Sequence, residues 1–192
     1  MSMFDNFRLE MLNKKASSEN NQPDEVIKNM KMEKGDVIGD IGTGGGYFTF
    51  EFSSAVGENG KVYAIDTNPK SLDYLEAKAK KMGITNIEPV LANEDGLVLP
   101  EKVDMFFMRN VFHHLPDTVA YFKSIKPLLK KDGKIALLEY NKKGLGFVGI
   151  FGHYTPEEEL VKQMDMAGFS VFESFNFLPE QSYNIFKTKD TE

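Results

Sequence analysis

Asp40, Gly42, Gly44 and Gly46 occupy every second position of the stretch Asp40-Ile41-Gly42-Thr43-Gly44-Gly45-Gly46-Tyr47. The stretch follows the short run Asp36-Val37-Ile38 and leads into a pattern that reads as a helix. A strand, a glycine-rich turn and a helix in that order bring backbone N–H groups close to a nucleotide-like ligand. The spacing sets aside two other nucleotide sites. A dinucleotide fingerprint starting at Gly42 would end on Tyr47, whose side chain blocks the close helix–strand packing that a third glycine permits. A P-loop needs Gly-Lys-Ser or Gly-Lys-Thr, and neither occurs. Asp66 is the second chemical signal. It ends the run Val62-Tyr63-Ala64-Ile65, about 20 residues past the turn, where an acid accepts hydrogen bonds from both ribose hydroxyls of a nucleoside. The alternative is an ordinary N-cap for the following helix, within Asp-Thr-Asn-Pro. The third signal is the pair His113 and His114, either of which has the chemistry of a general base near neutral pH.

The elements that must position these groups alternate along the chain. Met3, Phe4, Phe7, Met11 and Leu12 have close to helical spacing and predict a short helix that packs on the domain or covers the site. Residues 13–22 read as a polar linker, and Pro23 opens a helix through Val26, Ile27 and Met30. Strands are expected at 37–39, 61–65, 87–91, 103–108, 134–140, 171–177 and 183–187. Helices are expected at 47–56, 70–82 closed by Gly83, 117–131, and 155–167. Thr155, Pro156 and Glu158 form a capping box for the last helix, and Asp132-Gly133 is expected to turn into the fifth strand. The alternation, ending in two successive strands, predicts an α/β fold with a doubly wound, mostly parallel sheet. The expected organisation is an N-terminal helix and linker over 1–22 and one domain over 23–192.

Composition narrows the function classes. The 192 residues suffice for one domain with a full core. A net charge of -6 weighs against nonspecific nucleic-acid binding, which needs a basic footprint. There is no cysteine, hence no disulfide, thiolate metal site or cysteine nucleophile; no metal site is expected at all. The N-terminus lacks the basic and apolar regions of a signal peptide. No apolar run reaches the roughly 18 residues of a membrane span. The expectation is a soluble cytoplasmic protein, compatible with a homodimer.

The Asp-x-Gly-x-Gly-x-Gly turn, with Asp66 and the later segments in order, resembles the class I, Rossmann-like S-adenosylmethionine-dependent methyltransferases. The likeness runs from about Asp36 to about Lys187 and is nearest to enzymes of the small-molecule, quinone-biosynthesis type. It implies a seven-stranded sheet whose last strand is antiparallel, with S-adenosyl-L-methionine as cofactor and S-adenosyl-L-homocysteine as product. It implies that Asp40 lies near the cofactor's amino group and that Gly42, Thr43, Gly44 and Gly46 form the turn, with no room for side chains at the three glycines. Asp66 would hold the ribose and Thr67 border the adenine. Glu94-Asp95-Gly96-Leu97-Val98-Leu99-Pro100 resembles the family's adenine-binding segment, with Asp95 or Glu94 as the acceptor. The backbone near Arg109 and Asn110, in Met108-Arg109-Asn110-Val111-Phe112-His113-His114-Leu115-Pro116, would touch the methionine end.

In such enzymes the acceptor's lone pair attacks an already activated methyl, so placing the reactants in line and excluding water supply much of the catalysis. The absence of cysteine removes methyltransferases that attack a pyrimidine carbon through cysteine and those that bind arsenic through thiols. The absence of Asn/Asp-Pro-Pro-Tyr/Phe disfavours nucleobase-amino and glutamine targets. The loop 141–154 carries Phe147, Phe151, His153 and Tyr154 among four glycines, and either closes over an apolar acceptor or completes the core. A small-molecule acceptor is the expectation. The alternatives are a protein or RNA methyltransferase, for which Lys126, Lys130, Lys131, Lys134, Lys142 and Lys143 could cluster, or a non-catalytic S-adenosylmethionine-binding regulator.

Overall fold

A computed structural model describes residues 3–93, 97–141 and 154–189. Their strands form one seven-stranded sheet in the order β3-β2-β1-β4-β5-β7-β6. The chain divides into two halves, Met1–Glu94 and Asp95–Glu192.

The first half begins with helix α1 (Met3–Ala16), a 3-10 turn (Glu19–Asn21) and α2 (Pro23–Met30), whose Pro23 stands in the first turn as expected. The helix therefore runs into the segment read as a polar linker. Strand β1 (Val37–Ile41) is buried along its whole length and extends to Asp40 and Ile41. Helix α3 (Tyr47–Val56) buries Phe48, Phe52 and Val56, an i, i+4, i+8 stripe. Strand β2 (Lys61–Asp66) runs parallel to β1, with Asp40 opposite Ala64. Helix α4 (Pro69–Met82) is capped by Asn68, whose side chain accepts from the Lys70 amide at 3.1 Å, and is closed by Gly83 at φ 70°. Strand β3 (Ile87–Leu91) pairs parallel with β2 at the sheet edge, where Pro89 is tolerated.

The second half contains β4 (Val103–Arg109), a 3-10 turn (Phe112–His114), α5 (Thr118–Ile125), a second 3-10 turn (Lys126–Leu128), β5 (Leu129–Tyr140), α6 (Glu157–Met166), β6 (Phe169–Phe175) and β7 (Gln181–Thr188). Strand β5 is parallel to β4, and β7 is antiparallel to both β5 and β6. The expected fold class is thus the observed one.

Three local expectations fail for physical reasons. The helix expected over 117–131 stops at Ile125, because Pro127 has no N–H for the fourth carbonyl before it and the chain tightens into a 3-10 turn. Asp132-Gly133 lies inside β5, where the pairing with β4 shifts register between Val103/Leu129 and Met105/Lys134. The capping box does not form: the N-cap is Pro156, with no side-chain cap, and the Thr155 amide instead donates to the Tyr140 carbonyl at the end of β5.

Candidate functional site

The glycine turn is stitched to β2 at its start. The Gly42 and Thr43 amides both donate to the Ile65 carbonyl, at 2.8 and 3.2 Å. Gly42, Gly44 and Gly46 then adopt φ of 78°, 54° and 83°, a left-handed backbone that side-chain-bearing residues rarely adopt. A Cβ on Gly46 would lie 2.8 Å from Leu75 Cδ1, so space as well as conformation demands glycine there. A Cβ on Gly44 would meet nothing nearer than Leu12 Cδ1 at 3.5 Å. Conformation, not crowding, fixes that glycine, and its face is open to a ligand.

Asp66, at the end of β2, reaches back across the turn. Its Oδ2 accepts from the Gly44 amide and its Oδ1 from the Asn68 amide, both at 2.9 Å. Because Asn68 is the N-cap of α4, the capping alternative for Asp66 is set aside. A carboxylate has about four lone-pair sites, so these two bonds orient the group and leave capacity for hydroxyl donors. Thr67 follows, exposed.

Asp40 is only 3% exposed. The Thr49 hydroxyl donates to its Oδ2 at 2.5 Å, and Thr43 Oγ1 lies 2.5 Å from Thr49 Oγ1. Burial pushes the Asp40 carboxyl up to about 7; the hydrogen bonds from Thr49 and Thr43 oppose this, and the nearby Asp66 charge adds to it. Asp40 is thus poised to ionise near neutrality when a cation approaches. The residues fit a cofactor with a ribose and an ammonium: an oriented carboxylate, a buried titratable acid and an open glycine face.

Sequence reasoning missed two residues beside the turn. Asn13 of α1 accepts from the Tyr47 amide through Oδ1 at 2.9 Å and donates from Nδ2 to the Gly45 carbonyl at 2.8 Å. Gly45, outside the alternating pattern, packs so tightly under α1 that a Cβ would strike the Leu9 carbonyl and Asn13 Oδ1. No local signal marks Asn13; a fourth glycine inside the alternating pattern is the only trace.

In the second half, the end of β4 leads to Asn110, a non-glycine residue at φ 54°. Its amide donates to the Leu138 carbonyl and its Oδ1 accepts from Gln181 Nε2 at 2.7 Å, which holds this uncommon backbone in place. His113 Nδ1 lies 2.9 Å from Glu139 Oε1, which also accepts from the Tyr140 amide at 2.9 Å. Glu139 is fully buried, and its Oε2 has no hydrogen-bond partner among the described residues. Burial pulls the Arg109 guanidinium below its ordinary value, opposed by Tyr140 and Glu139 nearby. His114 is exposed and lies against His113, with ring centroids 4.0 Å apart and the rings tilted by 47°. Glu139 was read only as part of the fifth strand; its pairing joins residues 26 apart in sequence. Glu94, Asp95, Phe147, Phe151 and His153 lie outside the described residues, and Tyr154 is half-buried.

A family model described as a methyltransferase domain matches residues 17–184. The chain belongs to the methyltransferase-domain family. Its sheet is that of the class I S-adenosylmethionine-dependent methyltransferases. A solved structure of a methyltransferase of that dependence from Aquifex aeolicus is similar at 27% identity and a TM-score of 0.83, covering 94% of this chain and 97% of that one. Among curated relatives, the ubiquinone/menaquinone biosynthesis C-methyltransferase UbiE of Shewanella sp. (strain ANA-3) is 29% identical over 154 residues, covering 79% of this chain and 54% of the relative. A probable cobalt-precorrin-6B C(15)-methyltransferase (decarboxylating) of Saccharolobus solfataricus is 29% identical over 115 residues, 58% of this chain and 56% of the relative. The methyltransferase chain thus spans about half the length of these curated relatives. None of its described helices is long and apolar enough to cross a membrane.

Proposed function

We propose that this methyltransferase domain transfers a methyl group from S-adenosylmethionine to a small-molecule acceptor. The observation that carries the reading is the Asp66 carboxylate, held across the open glycine turn by the Gly44 and Asn68 amides. In that position it serves as acceptor for two ribose hydroxyls, with Thr67 beside the adenine. Asp40 faces the cofactor's amino group, and the backbone at Arg109 and Asn110 borders its methionine end. Asp95 or Glu94 receives the adenine amino group. The cofactor supplies a methyl already activated on a sulfonium sulfur. His113, whose Nδ1 lies 2.9 Å from Glu139 Oε1, is the proposed base, with His114 the other candidate. Phe147, Phe151, His153 and Tyr154 are proposed to face the acceptor.

Curated relatives named for quinone and corrin substrates support the small-molecule class. So does the engagement of three of the six lysines that could form a basic patch. Lys126 donates to the Gly168 carbonyl, Lys130 pairs with Asp104, and Lys134 lies over the Phe172 ring.

The experiment is methyl transfer from labelled S-adenosylmethionine to a panel of phenols, quinols and amines, with wild-type protein and His113→Ala. The expected result is label in a small-molecule acceptor and a rate lower by about 10²-fold or more in the variant, the scale of general-base loss. A folded protein that binds neither S-adenosylmethionine nor S-adenosylhomocysteine would contradict the proposal.

A further inference from the structure

Helix α1 packs on the glycine turn through a face that its apolar residues do not single out. Asn6, Leu9, Asn13 and Ala16 share one face by their i, i+3, i+7, i+10 spacing, and Leu9 and Ala16 are buried. Phe4, Phe7 and Met11 share the opposite face and are 78%, 61% and 51% exposed. Apolar residues thus lie on both faces of α1, and apolar burial alone does not choose which one packs. Polar anchors hold it instead: Asp5 pairs with Lys70 of α4 at 3.1 Å, and Asn13 makes its two bonds to the turn.

Those two bonds land on either side of Gly46. The Gly45 carbonyl and the Tyr47 amide are both fixed by one planar side-chain amide, so the peptides flanking the left-handed Gly46 take a set orientation. The Tyr47 amide opens α3, and its N-cap, Gly46, has no side chain to cap the helix. Asn13 does this from another helix, 34 residues away. Gly45 supplies the complementary half. It is not among the left-handed glycines, so its backbone would accept alanine; only the approach of α1 forbids a Cβ.

We propose that Asn13 is a positioning residue of the cofactor site: through Gly45 and Tyr47, α1 sets the shape of the glycine turn, and cofactor affinity depends on it. The inference rests on the reading that the cofactor binds at this turn.

The test is calorimetric titration of S-adenosylhomocysteine into wild-type protein, Asn13→Ala, Gly45→Ala and the double variant, with amide hydrogen exchange of residues 3–16 in the unaltered protein. Each single variant is expected to weaken binding about tenfold, as the loss of one or two hydrogen bonds allows. The double variant should weaken binding by less than the product of the two single effects, because both changes disturb the same packing of α1 on the turn. Ligand should slow exchange in α1 of the wild type, a response that mere packing would not give. Wild-type affinity in both single variants, or exchange in α1 indifferent to ligand, would overturn the inference and leave the cofactor reading standing. Failure of the wild-type protein to bind would overturn both.

Discussion

Asp40 lies buried at the end of β1, where its ionisation is costly. A carboxyl moved from its ordinary 3.8 to about 7 keeps a proton in the folded state that it loses in the unfolded chain between those values. The folded state therefore binds more protons in that window, and stability falls as pH rises from about 4 to about 7, then levels. The full difference is on the order of 4 kcal/mol. Asp40→Asn is expected to raise the thermal midpoint at pH 8 and to lose most of that advantage by pH 4, as measured by unfolding scans across the range. An equal gain at both ends would contradict the burial argument. The glycine turn and Asp66 were legible at this scale because strand, turn, helix and following strand are consecutive in sequence, so spacing alone places them. Asn13 and Glu139 were not, since each acts on groups 26 to 34 residues away and neither sits in a local pattern.

At the scale of elements, capping residues settle boundaries more firmly than periodicity does. Gly83 closes α4 in a left-handed conformation, its amide bonded to the Ala79 and Lys80 carbonyls, with open space where a Cβ would stand. Gly83→Ala is therefore strained by conformation alone. It should destabilise the fold by about 1 kcal/mol in urea denaturation while leaving S-adenosylhomocysteine affinity unchanged. Helix α3 and strand β3 were readable to the residue, since glycines and a strong apolar stripe bound the one and turn residues the other. Helix α5 was read too long because its lysines and leucines continue a helical pattern past Pro127, which breaks the backbone ladder whatever the side chains prefer. The start of α6 slipped because Thr155 spends its amide on β5, a tertiary bond that no local capping rule includes. The apolar spacing of α1 predicted a helix; the face that packs was not legible, because apolar residues lie on both faces and Asn13 bonds to a turn 32 residues away.

For the whole molecule, a net charge of -6, with Lys126, Lys130 and Lys134 engaged within the protein, predicts weak, nonspecific contact with nucleic acid at most. Fluorescence anisotropy with a labelled RNA oligonucleotide should show no binding at physiological salt. A high affinity that fell steeply with added salt would point instead to an RNA acceptor. The seven strands followed from the strand–helix alternation and the antiparallel last strand from the family resemblance; neither gave the strand order or the insertion of β7 between β5 and β6. On the proposed function, the glycine turn and Asp66 bind S-adenosylmethionine. Titration calorimetry with S-adenosylhomocysteine, on wild-type protein and on Asp66→Ala checked for its fold, tests it most directly. Micromolar binding by the wild type, lost or weakened by at least tenfold in the variant, is the predicted result. Equal binding by the two proteins, or none by the folded wild type, would contradict it.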